Sequence, residues 1–445
     1  MNPFHEMGSI LFFLWSITFE GALSLQRSLQ VIFLLILAMA LGLTACSKGD
    51  SSASGSDGKV NLTMTIWGSE NEKKIYQERL DIVKQTYPDI NVKLNLVAGD
   101  YDQKVQTMIA GGTAPDIMMI AENYQAYASK KQIIALDDMI QTNNVNMSER
   151  YSQDIVNLMK YDGKQYGMPD RAGAMVLFYN KDLFDKAGVK YPSKDWTQQD
   201  LMNAAQKLTV KENGKTIQWG YYPGSWWPQW MQLIYQNGGS LFDQKGKSTF
   251  NTEPVRNALQ FMNDLTFKYG TGPTPTEIAD MGNIGADPLF AQGKIAMETT
   301  GFWNIGSLAK VEGINWDIAS IWGETNAFFN GFTITNASEH KEEAFKVIEA
   351  LTTLDGQMPL IKAGQDAPAT KAGLSSDEFL NAEYGGKIIN MAAFSESKIY
   401  AEPFNPKWNE MMKLINDKLS VYFNNKASLE DTVTQVQSGL EKLYP

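Results

Sequence analysis

Two histidines and one cysteine in 445 residues set the first limit on the chemistry this chain can do. Cys46 has no second cysteine with which to form an internal disulfide. A zinc site of the Cys/His type wants three or four ligands, and His5, His340 and Cys46 are all that the sequence offers. A Ser-His-Asp or Cys-His catalytic set would have to rest on His340. That residue sits in the polar stretch Ser338-Glu339-His340-Lys341-Glu342 and reads as a solvated position at a helix start. Carboxylates are plentiful, yet no two stand out as the acid and the nucleophile or base of a glycoside hydrolase. No metal, cofactor or enzymatic activity is expected. Aromatic residues are abundant instead: the chain has eleven tryptophans, three of them in Tyr222-Pro223-Gly224-Ser225-Trp226-Trp227-Pro228-Gln229-Trp230. Aromatic planes beside Asp, Asn, Glu and Arg suit non-covalent capture of a molecule with directed hydroxyls and apolar ring faces.

The net charge of -11 argues against nucleic acid or an anionic membrane surface as the main partner. Arginine occurs only at positions 27, 79, 150, 171 and 256, few for a protein that grips phosphates.

Arg27 precedes the apolar run from Val31 to Leu41, which is followed by Leu43-Thr44-Ala45-Cys46 and a Ser/Gly/Asp-rich stretch from Ser47 to Gly58. A basic residue, an apolar segment of this length and a small-residue cleavage site make a secretory signal peptide rather than a spanning helix. Leu-x-Ala-Cys resembles the bacterial lipobox, in which the cysteine is diacylated with palmitate-type chains and becomes the new N-terminus. Residues 1–45 are therefore expected to be a lipoprotein signal peptide. Met1 to Ser24 fit no signal n-region, which implies an unusually long leader or a start codon placed too early. Residues 46–59 read as a flexible tether.

Beyond the tether the periodicity is that of an α/β protein. Leu62, Met64 and Ile66 alternate as in a half-buried strand, and Tyr76, Leu80, Val83 and Tyr87 mark an amphipathic helix ended by Pro88. Ile90 to Leu96 give a second strand, Tyr101 to Ala110 a short helix, and Asp116 to Ile120 a third strand. This β-α-β-α-β order implies a largely parallel sheet. A second block contains the apolar strand Ala174 to Tyr179 and a helix capped by Thr197 with Asp200. A helix over Pro254 to Tyr269 follows, then a strand at Phe332 and Ile334. Glu342 to Leu354 read as a helix ending before Gly356, and Ser428 starts a final helix whose stripe is Leu429, Val433, Val436 and Leu440.

Five stretches in a fixed order carry a resemblance over nearly all of residues 60–445. They are Gly112-Thr113-Ala114-Pro115-Asp116-Ile117, Tyr166-Gly167-Met168-Pro169, Leu177-Phe178-Tyr179-Asn180-Lys181-Asp182-Leu183-Phe184, Gln236-Asn237-Gly238-Gly239-Ser240-Leu241-Phe242, and Phe290-Ala291-Gln292-Gly293-Lys294-Ile295-Ala296-Met297 leading to Gly301-Phe302-Trp303. The chain resembles the family 1 extracellular solute-binding proteins of carbohydrate ABC importers, the group that includes the maltose-binding proteins. That resemblance implies a two-lobe, periplasmic-binding-protein-like α/β fold with a hinge and a ligand cleft between the lobes. The first lobe would take residues 60–170 and 332–372, the second 174–330 and 376–445. Pro169 to Gly173 would cross between them, through a proline and two small residues, and Gly331 would mark a return.

The same resemblance implies capture of a sugar or oligosaccharide by hinge closure and its delivery to the permease subunits of an ABC importer. The protein would be a monomer, lipid-anchored through Cys46 on the extracellular face of the cell membrane. Trp303 matches the family's sugar-stacking Gly-x-Trp position, Trp226 and Trp227 fall where the family places sugar-contacting aromatics, and Trp408 resembles a further stacking position. Polar contacts are expected at strand ends: Glu70 and Asn71, Glu122 and Asn123, the pair Asp170 and Arg171 in the crossing, and Asp366. Ile120-Ala121 departs from the aromatic that maltose binders carry after the third strand, so maltose itself is not implied. A non-sugar solute such as a polyamine or peptide is the main alternative, and an exported glycoside hydrolase the lesser one.

Overall fold

The computed structural model describes residues 58–391, 393–394, 397–400 and 404–445. Cys46, the leader and nearly all of the tether lie outside the described residues. β1 (Val60–Trp67), α1 (Glu70–Thr86), β2 (Ile90–Val97), α2 (Tyr101–Ala110) and β3 (Ile117–Ile120) follow the expected order. β1 lies between β2 and β3 and runs parallel to both. Alternation does the folding here: Leu62, Met64 and Ile66 turn to a core that Tyr76, Leu80 and Val83 of α1 cover. Ser69 starts α1 through a capping box with Glu72. Asp116 accepts from the Thr63 N–H at 2.8 Å and from the Ser338 hydroxyl at 2.6 Å.

The sequence reading places a crossing between lobes over Pro169–Gly173, and the structure shows which element runs through it. Those residues are the first half of β4 (Met168–Asn180), a 13-residue strand. Next in the chain come α3 (Gln198–Leu208), with its expected Thr197–Asp200 capping box, α4 (Trp227–Gln236) and α5 (Glu253–Phe267). β5 (Met297–Gly301), β6 (Trp316–Ala319) and β7 (Glu324–Ile334) follow. β7 is the second long strand. Its Phe332 and Gly331 pair antiparallel with Met168 and Pro169, and its Ala327 pairs with Ala174. The far end of β4, from Met175 to Asn180, pairs instead with β5 and β6. The resulting order is β6-β4-β7-β3-β1-β2, with β5 also on β4. Gly331, expected to mark a return, sits at a register shift in β7. A Cβ there would lie 2.2 Å from the Met168 carbonyl, so only glycine lets the two strands approach.

Chain crossings made of paired strands explain how the core divides. The β1–β3 side has one cluster that includes Phe329, Phe332 and Ile334. Beyond the crossing, Val176 and Phe178 of β4 enter one cluster while Met175, Leu177 and Tyr179 enter another. β4 is thus covered on both faces, as its unbroken apolar run requires. The C-terminal part begins with α6 (Lys341–Leu351) and α7 (Leu354–Lys362). The expected helix ending before Gly356 is α6, which stops at Leu351, and a second helix, α7, follows it. Thr353 accepts from the Gly356 N–H at 3.1 Å and starts α7, and a Cβ on Gly356 would meet the Ala350 carbonyl at 2.2 Å. Ile361 and Ala367 pack with Phe302 and Trp316. β8 (Lys398–Tyr400) joins β7 in parallel. α8 (Trp408–Phe423) and α9 (Leu429–Leu443) pack together through Met411, Ile415, Val433, Val436 and Leu440.

α1, β4 and the α6–α7 turn meet at one buried ion pair. Arg79 and Asp170 both have fully buried side chains. The guanidinium donates to the two carboxylate oxygens at 2.9 and 2.5 Å, and also to the carbonyls of Gly356 at 2.6 Å and Leu351 at 2.7 Å. The Tyr76 hydroxyl donates to the same carboxylate at 3.2 Å. Removing one member of such a pair leaves an uncompensated charge, which costs about 3–5 kcal/mol. Arg79→Leu is therefore expected to lower the urea unfolding free energy by about that amount, and the double variant R79L/D170L to recover most of it. Equal loss in both variants would show that the two side chains act only through packing.

Candidate functional site

Three tryptophans come from elements that the local sequence forces into one place. Gly224, with φ of +67°, sits where a Cβ would be 1.9 Å from Gln229 Oε1. Gln229 Oε1 in turn accepts from the Trp226 N–H at 3.1 Å, and its Nε2 donates to the Thr299 carbonyl at 3.3 Å. This turn holds Trp226 outward, 44% exposed, while Trp230 one turn later is buried. Trp303 follows β5 in a short 3-10 turn, and its ring folds back over Gly301, where a Cβ would lie 2.0 Å from it.

Phe328 of β7 joins these rings. Trp226 stacks on it with centroids 5.6 Å apart and planes at 25°. Trp303 meets it edge-on at 5.1 Å, and Trp227 lies tilted at 5.8 Å. The series continues from Trp227 to Trp408 at 5.4 Å, from Trp408 to Phe404 at 4.9 Å and from Phe404 to Phe329 at 5.3 Å. Strand alternation separates the two phenylalanines: Phe329 is buried among the β1–β3 core, whereas Phe328 is half-buried against the other side.

Trp408 also lines a cavity of about 400 Å³ with Trp67, Tyr101, Asp102, Glu122, Asn123 and Asn409. Trp67 ends β1, and Glu122 and Asn123 follow β3, so strand ends of the parallel sheet open here. Tyr101 is fixed by its hydroxyl, 3.0 and 2.9 Å from the carbonyls of Thr65 and Met119, and meets Trp67 edge-on at 5.1 Å. Asp102 is a junction. It accepts from Asn123, from the Tyr127 hydroxyl at 3.3 Å and from Asn409 Nδ2 of α8 at 3.3 Å. Burial raises the Asp102 carboxyl, while those hydrogen bonds hold it back. Burial pushes Glu122 up to about 7, and the nearby Asp102 charge adds to the rise.

Not all expected site residues meet there. Trp303, Trp226, Trp227 and Trp408 do, as do Glu122 and Asn123. Glu70 and Asn71 are exposed on the first turn of α1, where Glu70 lies 4.0 Å from Lys73 and Asn71 Oδ1 accepts from Lys310 Nζ at 3.5 Å. Asp170, expected to bracket hydroxyls, is instead wholly buried on Arg79. Arg171 is 3% exposed and sits between Glu72 at 3.6 Å and Asp366 at 3.9 Å. Its Nε donates to Asn330 of β7 at 2.9 Å. Burial pushes the Asp366 carboxyl up to about 6 against the pull of Arg171. These three charges tie β4 to α1 and to the 366 segment. Among the described residues no group of three or more His, Cys, Asp or Glu side chains could hold a metal.

Phe328, Trp67, Tyr101, Asp102 and Asn409 are candidate site residues that sequence reasoning missed. Trp67 was signalled by its place at the end of an alternating strand. Phe328 and Phe329 are adjacent, and only the strand register tells which one faces the cleft.

The match to the bacterial extracellular solute-binding protein family covers residues 67–358. The chain belongs to that family. A putative binding protein of Brucella abortus is 24% identical over 414 residues, 88% of this chain and 95% of that one. An arabinooligosaccharide-binding protein of Bacillus subtilis is 29% identical over 245 residues, 54% of this chain and 55% of that one. Among solved structures, an ABC substrate-binding protein from Listeria monocytogenes in complex with cycloalternan superposes with a TM-score of 0.80 at 29% identity. That superposition covers 87% of this chain and 99% of the other. The family is extracellular, and no helix among the described residues is long and apolar enough to cross a membrane.

The raised Glu122 carboxyl has a pH signature. Its folded-state value near 7 lies above the unfolded value of about 4.3, so the folded chain binds this proton more tightly. The stability it contributes is fully present below about 4.3 and is lost as pH rises through about 7. Wild type minus E122Q unfolding free energy, measured by urea titration, is expected to fall steadily across that window. A flat difference would place Glu122 in solvent.

Proposed function

We propose that this solute-binding protein captures a sugar or oligosaccharide between its lobes and delivers it to the permease of an ABC importer. The carrying observation is the aromatic series from Trp303 through Phe328, Trp226 and Trp227 to Trp408, which ends in a cavity lined by Asp102, Glu122 and Asn123. Ring faces supply flat apolar area for the C–H faces of sugars, and the amides and carboxylates supply directed partners for hydroxyls. The arabinooligosaccharide binder and the cycloalternan complex among its relatives favour the same ligand class.

Closure follows from the connectivity. The lobes, residues 60–170 with 332–372 and 174–330 with 376–445, would rotate about the paired middles of β4 and β7. Contacts such as Asn409 to Asp102 exist only when α8 meets α2, and a ligand touching both sides favours that state by its differential affinity. The chain would act as a monomer, held at the extracellular face of the membrane by lipid on Cys46.

A second reading has one observation behind it. The cavity lining includes Asp102 and Glu122 and no basic side chain, which suits a cationic polyamine. A thermal-shift screen of the chain lacking its leader against mono- and oligosaccharides, polyamines and short peptides separates the two. A ligand at a hundred times its Kd stabilises by about 2.7 kcal/mol, and a neutral sugar is expected to do so without being consumed. Trp303→Ala is expected to weaken that sugar by about 2 kcal/mol, roughly thirtyfold. A shift by polyamine alone would overturn the sugar reading, and turnover of the sugar would mark a hydrolase.

A further inference from the structure

Both ends of one hydrogen bond beside the cavity lie in the first turn of a helix. Asp102 is the second residue of α2 and Asn409 the second residue of α8, and Asn409 Nδ2 donates to Asp102 Oδ2 at 3.3 Å. In the division given above α2 belongs to the first lobe and α8 to the second, so this bond spans the cleft. Helix N-termini carry partial positive charge and unpaired N–H groups. Two first turns brought this close repel unless an anion stands between them, and the Asp102 carboxylate is that anion.

The carboxylate takes three donors among the described residues, and none comes from α2 itself. Asn123 and the Tyr127 hydroxyl, the latter at 3.3 Å, both donate to Oδ1, and these two residues are only 8% and 1% exposed. Oδ2 is left to Asn409. The partner is fixed as well, because the adjacent Trp408 is buried against Trp227 and Phe404. Two groups held in place beforehand lose little side-chain entropy when they meet. Another polar contact across the same division, Lys310 Nζ to Asn71 Oδ1 at 3.5 Å, is exposed at both ends and must immobilise a long lysine stem.

We propose that Asp102 is a positioning residue for closure, a latch that engages Asn409 whichever solute lies in the cleft. The latch supplies a fixed share of the closing free energy, present in the ligand-free chain too, and the ligand supplies the rest. Since the bond exists only in the closed form, its loss speeds opening and leaves the entry of solute unchanged. Affinity for every ligand then falls by one factor, and the ranking of ligands is preserved. The inference rests on the two-lobe closure of the proposed function and requires no particular solute.

Stopped-flow tryptophan fluorescence with maltotriose, mannotriose and arabinotriose, together with small-angle scattering without ligand, tests the latch. N409A and D102N should each weaken every probe that binds by the same factor, about three- to tenfold, carried by the dissociation rate. N409D sets two carboxylates against each other, so it should weaken binding further and enlarge the ligand-free radius of gyration. The swapped pair D102N/N409D restores one carboxylate and one amide across the junction. It should return affinity to within about threefold of wild type. Asn409 is exposed, so substitution there removes no core contact. A carboxylate that acted on the ligand itself would change the ranking of the probes, ignore N409A and resist rescue by the swap. Any one of those results overturns the latch. If no probe binds, the sugar reading fails and scattering alone decides: a radius enlarged by N409D upholds the latch, and an unchanged one overturns it.

Discussion

A guanidinium with no exposure to water must bring its counter-charge with it, and Arg79 decides much of this structure by doing so. Four hydrogen bonds from it meet the Asp170 carboxylate and two carbonyls at the α6–α7 turn, which fixes three elements from distant parts of the chain relative to one another. Asp170 belongs to β4, so the pair also sets where the long strand leaves the first lobe. The next residue, Arg171, then falls between Glu72 and Asp366, while Gln357 of α7 donates to the Asp170 carbonyl. Helix α1 is the common member: Tyr76 and Arg79 face the ion pair, and Glu72, one turn earlier, both caps Ser69 and reaches Arg171. The positions of Trp67 at one end and Phe328 on the neighbouring strand follow from that anchoring.

Much of the first lobe was legible in the sequence because its periods are clean. Alternation in β1 and β2 and the four-three-four spacing in α1 have one physical solution each, and the Thr197–Asp200 box is local chemistry that needs no tertiary partner. The crossing was read as a place in the chain but not as a strand. Pro169 stands near the start of a strand where its missing N–H costs little, and a Cβ on Gly173 would lie 3.1 Å from Asp366 Oδ1. The second helix from Leu354 was hidden, because Gly356 and Pro359 argue against a helix on propensity, while a Cβ on Gly356 would collide with the carbonyls of Ala350 and Leu351.

The candidate site divides along the same line. Aromatic positions could be read from motif and loop context, since Gly301 and Gly224 mark backbone that must approach a ring or an amide closely. Polar positions could not, because a loop carboxylate has no periodicity. Asp170 and Arg171 were read as ligand contacts, but their partners lie on α1, 91 residues upstream of Asp170, and on a segment nearly two hundred residues beyond Arg171. Only the fold shows that these charges are spent on the scaffold.

Phe328 lies on β7, one of the two long paired strands proposed to carry the chain between the lobes. A two-strand ribbon resists stretching, because its ladder hydrogen bonds share the load, but it twists at low cost. A guest lying on Phe328 would rest on the axle of the machine and not only on its jaws. A force at the axle has almost no lever arm, so any turning must come from what such a guest touches on either side of it.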